Sequence, residues 1–374
     1  MKVAFFSNYL SIHQIPFCEE MSRLSDFTFV ATTPFNQERL GHGYTDLNLK
    51  YPFVLNAYLN QQNKIEAKKL AIDADIVILG HAPFCYAKNR LRQNRITFMY
   101  SERPCKENDA WIKEILRSVK YRIKYPKNKP LYMLCASSYT ASDYEKYGVF
   151  IGKCYKWGYF PKRIQYENVE KILQNKEPNS IIWVARMLDW KHPEVCVALA
   201  DRLQRDGYDF HVHMIGNGPM FKKVEQMIRD LKLEKYITLY GTLNPEEVRS
   251  HMEKAEVFLF TSDRNEGWGA VLNESMNSLC IPVSSIEAGA TGFLIHHSVN
   301  GYAFEIYDQN TLISIIKSIF DNPLKGKLIA NNAYKTISDA WNAKEAAERL
   351  LVLSNVLLCG KETPYSDGPC SKSI

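Results

Sequence analysis

The sequence predicts an α/β protein built from two doubly wound domains, and three observations carry that expectation. The chain has 374 residues, too many for one ordinary core and comfortable for two of roughly 150 to 180 residues each. Short runs of apolar, β-branched and aromatic residues alternate with longer amphipathic ones from the start, the pattern of parallel strands joined by crossover helices. A polar stretch from Pro161 to Pro178 then interrupts the alternation, and a second series begins after it.

In the first series strands are expected at 2–7, 28–32, 76–80, 96–101 and 133–137, with helices at 14–23, 61–72 and 108–122. The second series reads as strands at 180–186, 211–216, 237–240, 257–261 and 281–284, with helices at 193–205, 219–231, 245–254 and 270–278. Three of those helices open on Pro193, Pro219 and Pro245, where the missing N–H of proline costs nothing. After 301–306 the chain reads as helical to about 358 and ends in a Ser/Gly/Pro-rich tail, expected to be disordered. The expected organisation is a first domain at 1–160, a linker at 161–178, a second domain at 179–335, a terminal helix at 336–358 and the tail at 359–374.

Composition narrows the classes. A hydrophobic content of 46% with 24% charged residues describes a globular chain. The apolar run after Met1 is too short for a secretory signal, and no stretch approaches the ~20 residues of a membrane span, so a cytoplasmic protein is expected. Nine cysteines without Cys-x-x-Cys spacing read as reduced thiols, with neither a disulfide framework nor a zinc site. The net charge of +6 is unevenly placed. Between Trp111 and Pro130 stand Lys113, Arg117, Lys120, Arg122, Lys124, Lys127 and Lys129 against Glu114 alone, interleaved with apolar and aromatic residues. That mixture suggests a peripheral surface for anionic lipid headgroups on the inner face of the membrane, or more plainly a solvated helix face. No nucleic-acid recognition motif accompanies the charge, so no nucleic-acid partner is expected.

The most informative segment runs from Thr261 through Asp263, Glu266, Gly267, Trp268 and Gly269 to Glu274. A strand ends, glycines let the backbone approach a ligand, and a helix starts. In open parallel sheets ligands lie beyond the strand C-termini, and a helix N-terminus suits a diphosphate. Glu274, one turn into the helix, can accept two hydrogen bonds from a ribose diol, and Glu266 can reach sugar hydroxyls; the plainer reading is that both cap and solvate the helix. Further upstream, the run from Ile181 to Arg186 is a buried strand ending in a cation, with Lys191 following. Two cations there can neutralise a leaving diphosphate.

The segment around Glu266 resembles the Glu-x7-Glu signature of retaining glycosyltransferase family four, with Glu-Gly-Trp-Gly where Glu-Gly-Phe-Gly is usual. The resemblance extends through Ser275-Met276 and Ile281-Pro282-Val283-Ser284 to Gly301-Tyr302. It implies the GT-B fold, two facing Rossmann-like domains with a cleft between them. It also implies that Glu266 contacts the donor sugar and Glu274 the ribose, while Arg186 and Lys191 match the diphosphate-binding cations, although Ala185 replaces the usual glycine. Gly216 and Gly218 in the Gly-x-Gly turn, with Gly241 and Thr242, are similar to the loops that frame the nucleobase and are assigned backbone contacts. His81-Ala82-Pro83 resembles a His-x-Pro that lies beside the reacting sugar in several relatives; a structural histidine at a strand end is the alternative. The usual glycine pair after the first strand is absent, since the chain reads Ser7-Asn8-Tyr9-Leu10. His13 is a candidate acceptor contact, with a histidine capping the helix after the first strand as the alternative, and Glu102, at the end of a later strand, is a candidate acceptor contact or base. The run from Ile337 to Leu357 resembles a terminal helix that crosses back onto the first domain.

The expected function is transfer of a hexose-type sugar, with retention, from a nucleotide diphosphosugar to a saccharide or lipid-linked acceptor in cell-surface polysaccharide synthesis. UDP is the first expectation for the nucleotide and GDP the second. Catalysis is expected to rest on Glu266, Arg186, Lys191 and His81, and donor binding on Gly216, Gly218, Gly241, Thr242, Gly267, Trp268, Gly269 and Glu274. No metal and no cofactor is expected, because the chain lacks a convincing Asp-x-Asp pair at a strand end. A nucleotide-sugar epimerase and a non-catalytic nucleotide-sugar binding protein are the alternatives; paired cations facing paired glutamates favour transfer, since a sensor has no departing diphosphate to stabilise.

Overall fold

The computed structural model describes residues 1–35, 46–106 and 111–373. Two units emerge, one formed by 1–162 with 341–374 and the other by 163–340.

The first unit is a seven-stranded sheet in which every strand pair is parallel. Its strands are β1 (Lys2–Ser7), β2 (Asp26–Ala31), β3 (Val54–Asn56), β4 (Ile76–Leu79), β5 (Thr97–Ser101), β6 (Leu131–Cys135) and β7 (Cys154–Lys156), ordered β3-β2-β1-β4-β5-β6-β7. The helices α1 (Ile15–Leu24), α2 (Gln61–Asp73), α3 (Cys85–Arg92), α4 (Trp111–Lys124) and α5 (Thr140–Glu145) connect them. All four residues of β4 are buried, as a strand covered on both faces requires. The order reverses between β1 and β4, which pair directly, so the loops after these strands diverge and leave a crevice. Expected helical residues 108–110 lie outside the described residues; the helix there is described from Trp111.

The second unit begins before its first strand. Helix α6 (Val169–Gln174) and the start of β8 (Glu177–Val184) occupy the segment expected as a linker. It is packed down because Ile164 N–H donates to Asn277 Oδ1 (2.8 Å) and Asn277 Nδ2 donates back to the Ile164 carbonyl (3.0 Å). The sheet continues with β9 (His211–Ile215), β10 (Ile237–Gly241), β11 (Ala255–Phe260), β12 (Ile281–Ser285) and β13 (Tyr302–Phe304), ordered β10-β9-β8-β11-β12-β13 and parallel throughout. The crossover helices are α7 (Pro193–Arg205), α8 (Phe221–Asp230), α9 (Pro245–Lys254) and α10 (Ala270–Asn277). Helix α9 starts on a full capping box, Asn244 with Glu247, which satisfies two otherwise orphaned N–H groups. Helix α8 starts at Phe221, two residues after Pro219. Here the strand order reverses between β8 and β11.

The short helix α11 (Thr291–Leu294) and the longer α12 (Gln309–Phe320) and α13 (Pro323–Lys335) complete this unit, which ends in a π-helical turn, Thr336–Ala340. The terminal helix α14 (Ala343–Leu358) belongs to the first unit and packs against α1.

The tail corrects an expectation. Residues 359–373 are not a disordered end: they cover the open edge of β7. Lys156 N–H donates to the Ser371 carbonyl (2.8 Å), Cys370 N–H to the Lys156 carbonyl (2.8 Å) and Ser373 N–H to the Cys154 carbonyl (3.1 Å), with an antiparallel bridge between Tyr155 and Lys372. An uncovered edge would leave these groups unpaired, and the pairing draws Cys370 and Ser371 fully into the interior. Side chains reinforce it: Lys156 meets Asp367 at 2.6 Å, and the Arg349 guanidinium lies over the Tyr365 ring at 4.6 Å.

Candidate functional site

In the second unit, the loops after β8 and β11 leave the sheet at the point of order reversal and are stitched together. Asp263 N–H donates to the Trp190 carbonyl (3.0 Å), and Thr261 Oγ1 donates to the Lys191 carbonyl (2.6 Å) while accepting from the Trp183 indole (2.8 Å). This backbone framework holds Lys191, in a 3-10 turn at Asp189–Lys191, against Glu266. The two form an ion pair in which the lysine is 12% and the glutamate 11% exposed. Lys191 Nζ also lies 4.3 Å from the Trp190 ring centroid. Removing either partner would leave the other charge unpaired in a site largely removed from water. Arg186, on the same strand-end loop, is exposed and makes no ion pair among the described residues, so its guanidinium is available for an anion from solvent.

Glu266 N–H donates to the Asp263 carbonyl (3.0 Å), and Gly269 then turns the chain into α10 at φ +93°. A Cβ at Gly269 would fall 2.5 Å from Phe260 Cζ, so both the conformation and the space demand glycine. Trp268, expected among the donor-binding residues, turns its side chain into the interior. The indole is 1% exposed and its N–H donates to Asn273 Oδ1 (2.8 Å), so it anchors the loop to the helix. Glu274 is half-buried, and burial pushes its carboxyl above the usual range, opposed by Arg249. Arg249 was not singled out from the sequence; it donates to the Glu274 carbonyl (2.9 Å) and to Ser278 Oγ (2.7 Å), and nothing in its helical surroundings signals that reach.

The Gly-x-Gly turn is also more internal than expected. Gly216 N–H donates to the Gly241 carbonyl (2.7 Å) and Gly218 N–H to Asn217 Oδ1 (2.7 Å). These glycines therefore offer a ligand a close backbone surface and not free N–H groups, while Thr242 beside Gly241 is exposed. Next to Lys191, His192 adopts the left-handed conformation at φ 48°. Its Nδ1 lies 2.8 Å from Glu194, and Nε2 is 3.5 Å from Asp263. The Glu194 hydrogen bond raises the imidazole pKa against the opposing cost of burial.

In the first unit the crevice at the β1/β4 reversal is a hollow of about 1040 Å³. His13, His81 and Glu102 all line it, contributed by the loops after β1, β4 and β5. His81 is exposed at its wall. The His13 ring stacks on Tyr159 at 5.6 Å with 6° between planes. Glu102 accepts from Tyr159 Oη (2.5 Å) and from Lys106 Nζ (3.1 Å). With one oxygen engaged by a phenol and the other by an ammonium, this carboxylate suits the holding of a ligand hydroxyl better than proton abstraction. Tyr159 and Lys124, which also line the hollow, were not foreseen, because no motif surrounds them. Burial, and then Lys120, lower the Lys124 pKa.

Two parallel sheets, each with one reversal of strand order, match the GT-B fold. The same fold is seen in the crystal structure of Anabaena Alr3699/HepE in complex with UDP, with a TM-score of 0.69 over 95% of this chain and 100% of that one at 14% identity. Residues 165–336, which span nearly all of the second unit, match the family model of glycosyl transferases group 1. Among curated proteins, the chain is 25% identical over 291 residues to the uncharacterized glycosyltransferase MJ1178 of Methanocaldococcus jannaschii, covering 75% of this chain and 74% of that protein. It is 29% identical over 145 residues to the amylovoran biosynthesis glycosyltransferase AmsK of Erwinia amylovora, where it spans only 35% of the relative's length and 37% of its own. Among the described residues no helix is long and apolar enough to cross a membrane.

Proposed function

We propose that this protein is a retaining glycosyltransferase that moves a hexose-type sugar from a nucleotide diphosphosugar, UDP before GDP, onto a saccharide or lipid-linked acceptor in cell-surface polysaccharide synthesis. The observation that carries this reading is the Lys191–Glu266 ion pair at the strand-order reversal of the unit that matches the group 1 family model, with the accessible Arg186 on the same loop. The binding of UDP by the Anabaena neighbour and the role in amylovoran biosynthesis named for AmsK support the donor and the pathway class.

In this reading the second unit binds the donor, and the hollow of the first unit takes the acceptor. The acceptor oxygen bonds to the anomeric carbon as the bond from that carbon to the phosphate oxygen breaks, and the hydroxyl proton passes to the departing phosphate. Charge grows on the diphosphate, and Arg186, Lys191 and the N-terminal turn of α10 stabilise it, which lowers the barrier. No metal takes part, so EDTA leaves turnover unchanged. Glu266 orients the sugar, Glu274 the ribose, and His81 stands at the acceptor side.

The reading is tested with purified protein, UDP- and GDP-sugars, and saccharide or lipid-linked acceptors, scoring thermal stabilisation and release of nucleoside diphosphate. Stabilisation by one nucleotide with acceptor-dependent release is expected. A changed sugar without release would point to an epimerase, and binding without any turnover to a sensor; no stabilisation by any nucleotide would sink the donor site.

Glu274 offers a second check with a definite sign. An acid whose pKa is raised on folding is least costly when protonated, so its ionised form lowers stability as pH climbs from the unfolded pKa through the folded one. Glu274→Gln is therefore expected to raise the Tm at neutral pH while weakening UDP binding about tenfold or more, in line with a hydrogen bond to charge of about 1.5–3 kcal/mol. Wild-type donor affinity should fall as pH drops through the raised pKa of Glu274, and the variant should lack that limb. Calorimetric titration across the acid range checks both.

A further inference from the structure

Helix α4 carries an apolar face that the first unit leaves uncovered. Trp111, Ile115, Val119 and Ile123 recur every fourth residue and are 71%, 54%, 52% and 80% exposed, and Leu116 beside them is 65% exposed. At helical geometry they share one arc of roughly 140°. The opposite face is pinned. Arg117 donates to Tyr147 Oη (3.3 Å) and Tyr121 packs among Tyr125, Tyr144 and Tyr147, while Arg122, on the side of the stripe itself, donates to the Tyr147 carbonyl (3.0 Å). The stripe is thus presented outward by a fixed helix, and a contiguous exposed patch of this kind marks an interaction surface.

Charge decides what it meets. Lys113 and Lys120, on the flank of the stripe, are exposed and have no carboxylate partner among the described residues, while Glu114, the one acid of the helix, is spent on Lys146. A second copy packing about a two-fold axis would bring these lysines toward their own equivalents with no acid to separate them. An anionic bilayer satisfies both halves, with acyl chains for the indole and aliphatic side chains and phosphates for the lysines. A hollow of about 310 Å³ lined by Lys113, Leu116, Arg117, Lys120 and Tyr121 lies along the basic flank, as a headgroup phosphate would require.

We infer that α4 is an interfacial docking helix for anionic lipid, lying in the bilayer surface on its Trp111/Ile115/Val119/Ile123 stripe. Lys124, at the end of this helix, lines the larger hollow of the first unit, so docking holds that hollow close to the membrane surface. The inference is independent of the proposed chemistry, because its readout is partition and not turnover.

The test is sedimentation of the full chain with vesicles of phosphatidylglycerol and phosphatidylcholine, against vesicles of phosphatidylcholine alone. Partition at least about tenfold stronger onto the anionic vesicles is expected, with a blue shift of Trp111 fluorescence. The double substitution Val119→Glu/Ile123→Glu should reduce partition about tenfold or more, and Lys113→Glu/Lys120→Glu should remove the preference for anionic lipid. All four positions are exposed, so the Tm of both variants should match the wild type and loss of binding cannot be loss of fold. Absence of binding to anionic vesicles, or equal binding by the Glu variants, would overturn the inference. So would a concentration-dependent dimer that Val119→Glu/Ile123→Glu dissociates, because the stripe would then belong to a second copy.

Discussion

Glu266→Ala is expected to reduce turnover by a factor of about 10² to 10⁴, the range found when a group acting on the reacting sugar is lost, while a nucleoside diphosphate still raises the Tm. Two effects must be separated. The substitution removes the carboxylate proposed to orient the sugar, and it also leaves Lys191 without its partner in a site only 12% exposed. Breaking a buried pair costs about 3–5 kcal/mol where no relaxation is possible. Glu266→Gln keeps the volume and a hydrogen-bond acceptor, and a Lys191→Met/Glu266→Gln double variant removes both charges and so restores balance. If turnover loss in all three exceeds about 10²-fold whether or not the Tm recovers, the chemistry belongs to the pair. Turnover returning with the Tm in the double variant would make the pair a structural clamp.

Gly216→Ala should be the most damaging single substitution for the donor-side framework. A Cβ there would lie 1.8 Å from the Ala185 carbonyl oxygen and 2.9 Å from its carbon, at φ +135°, where L side chains are rarely found. Neither group can yield independently. Ala185 N–H donates to the Ile215 carbonyl (3.2 Å) and Gly216 N–H to the Gly241 carbonyl (2.7 Å), so relieving the clash separates the loops after β8, β9 and β10. A loss of about 3–5 kcal/mol is expected, equivalent to roughly 10 °C in Tm, together with loss of stabilisation by UDP. Gly207→Ala is the control: its φ of +78° is also left-handed, but nothing lies within 4 Å of the added Cβ, so only about 1–2 kcal/mol is at stake. Equal effects at the two positions would show that conformation and not the Ala185 approach limits the site.

The alternation of apolar runs foretells most of the sheet strands because a parallel strand buried on both faces must be apolar at every position. β1 spans the predicted 2–7, and the strands β8, β9, β11 and β12 lie within a few residues of their expected places. What it misses is short or paid for elsewhere in the fold. The three-residue strands β3 and β7 carry too few residues for a period to register. The Pro161 to Pro178 stretch looks like a linker because its polar groups are satisfied by partners far along the chain, as the Ile164 backbone is by Asn277 and the Tyr166 hydroxyl by Glu253. A tail of serines, glycine and proline looks disordered until the open edge of β7 is considered, since its stabilisation is backbone pairing, to which composition is blind.

The candidate site divides along the same line. By itself the sequence determined residue types at strand ends: a cation pair after one strand, a glutamate and glycines before a helix, histidines and a carboxylate after three others. Such placements follow from local patterning, because a loop at the C-terminal end of a parallel strand is recognisable without knowing its neighbours. The strand order was left to the tertiary structure, and with it which loops meet. Crossing from β8 to β11 joined Lys191 to Glu266 across 75 positions, and crossing from β1 to β4 and β5 gathered His13, His81 and Glu102 with Tyr159 and Lys124 into one hollow. Tertiary packing likewise turned the Trp268 indole inward and the α4 stripe outward, because which face of an element is covered depends on what lies against it and not on its own periodicity.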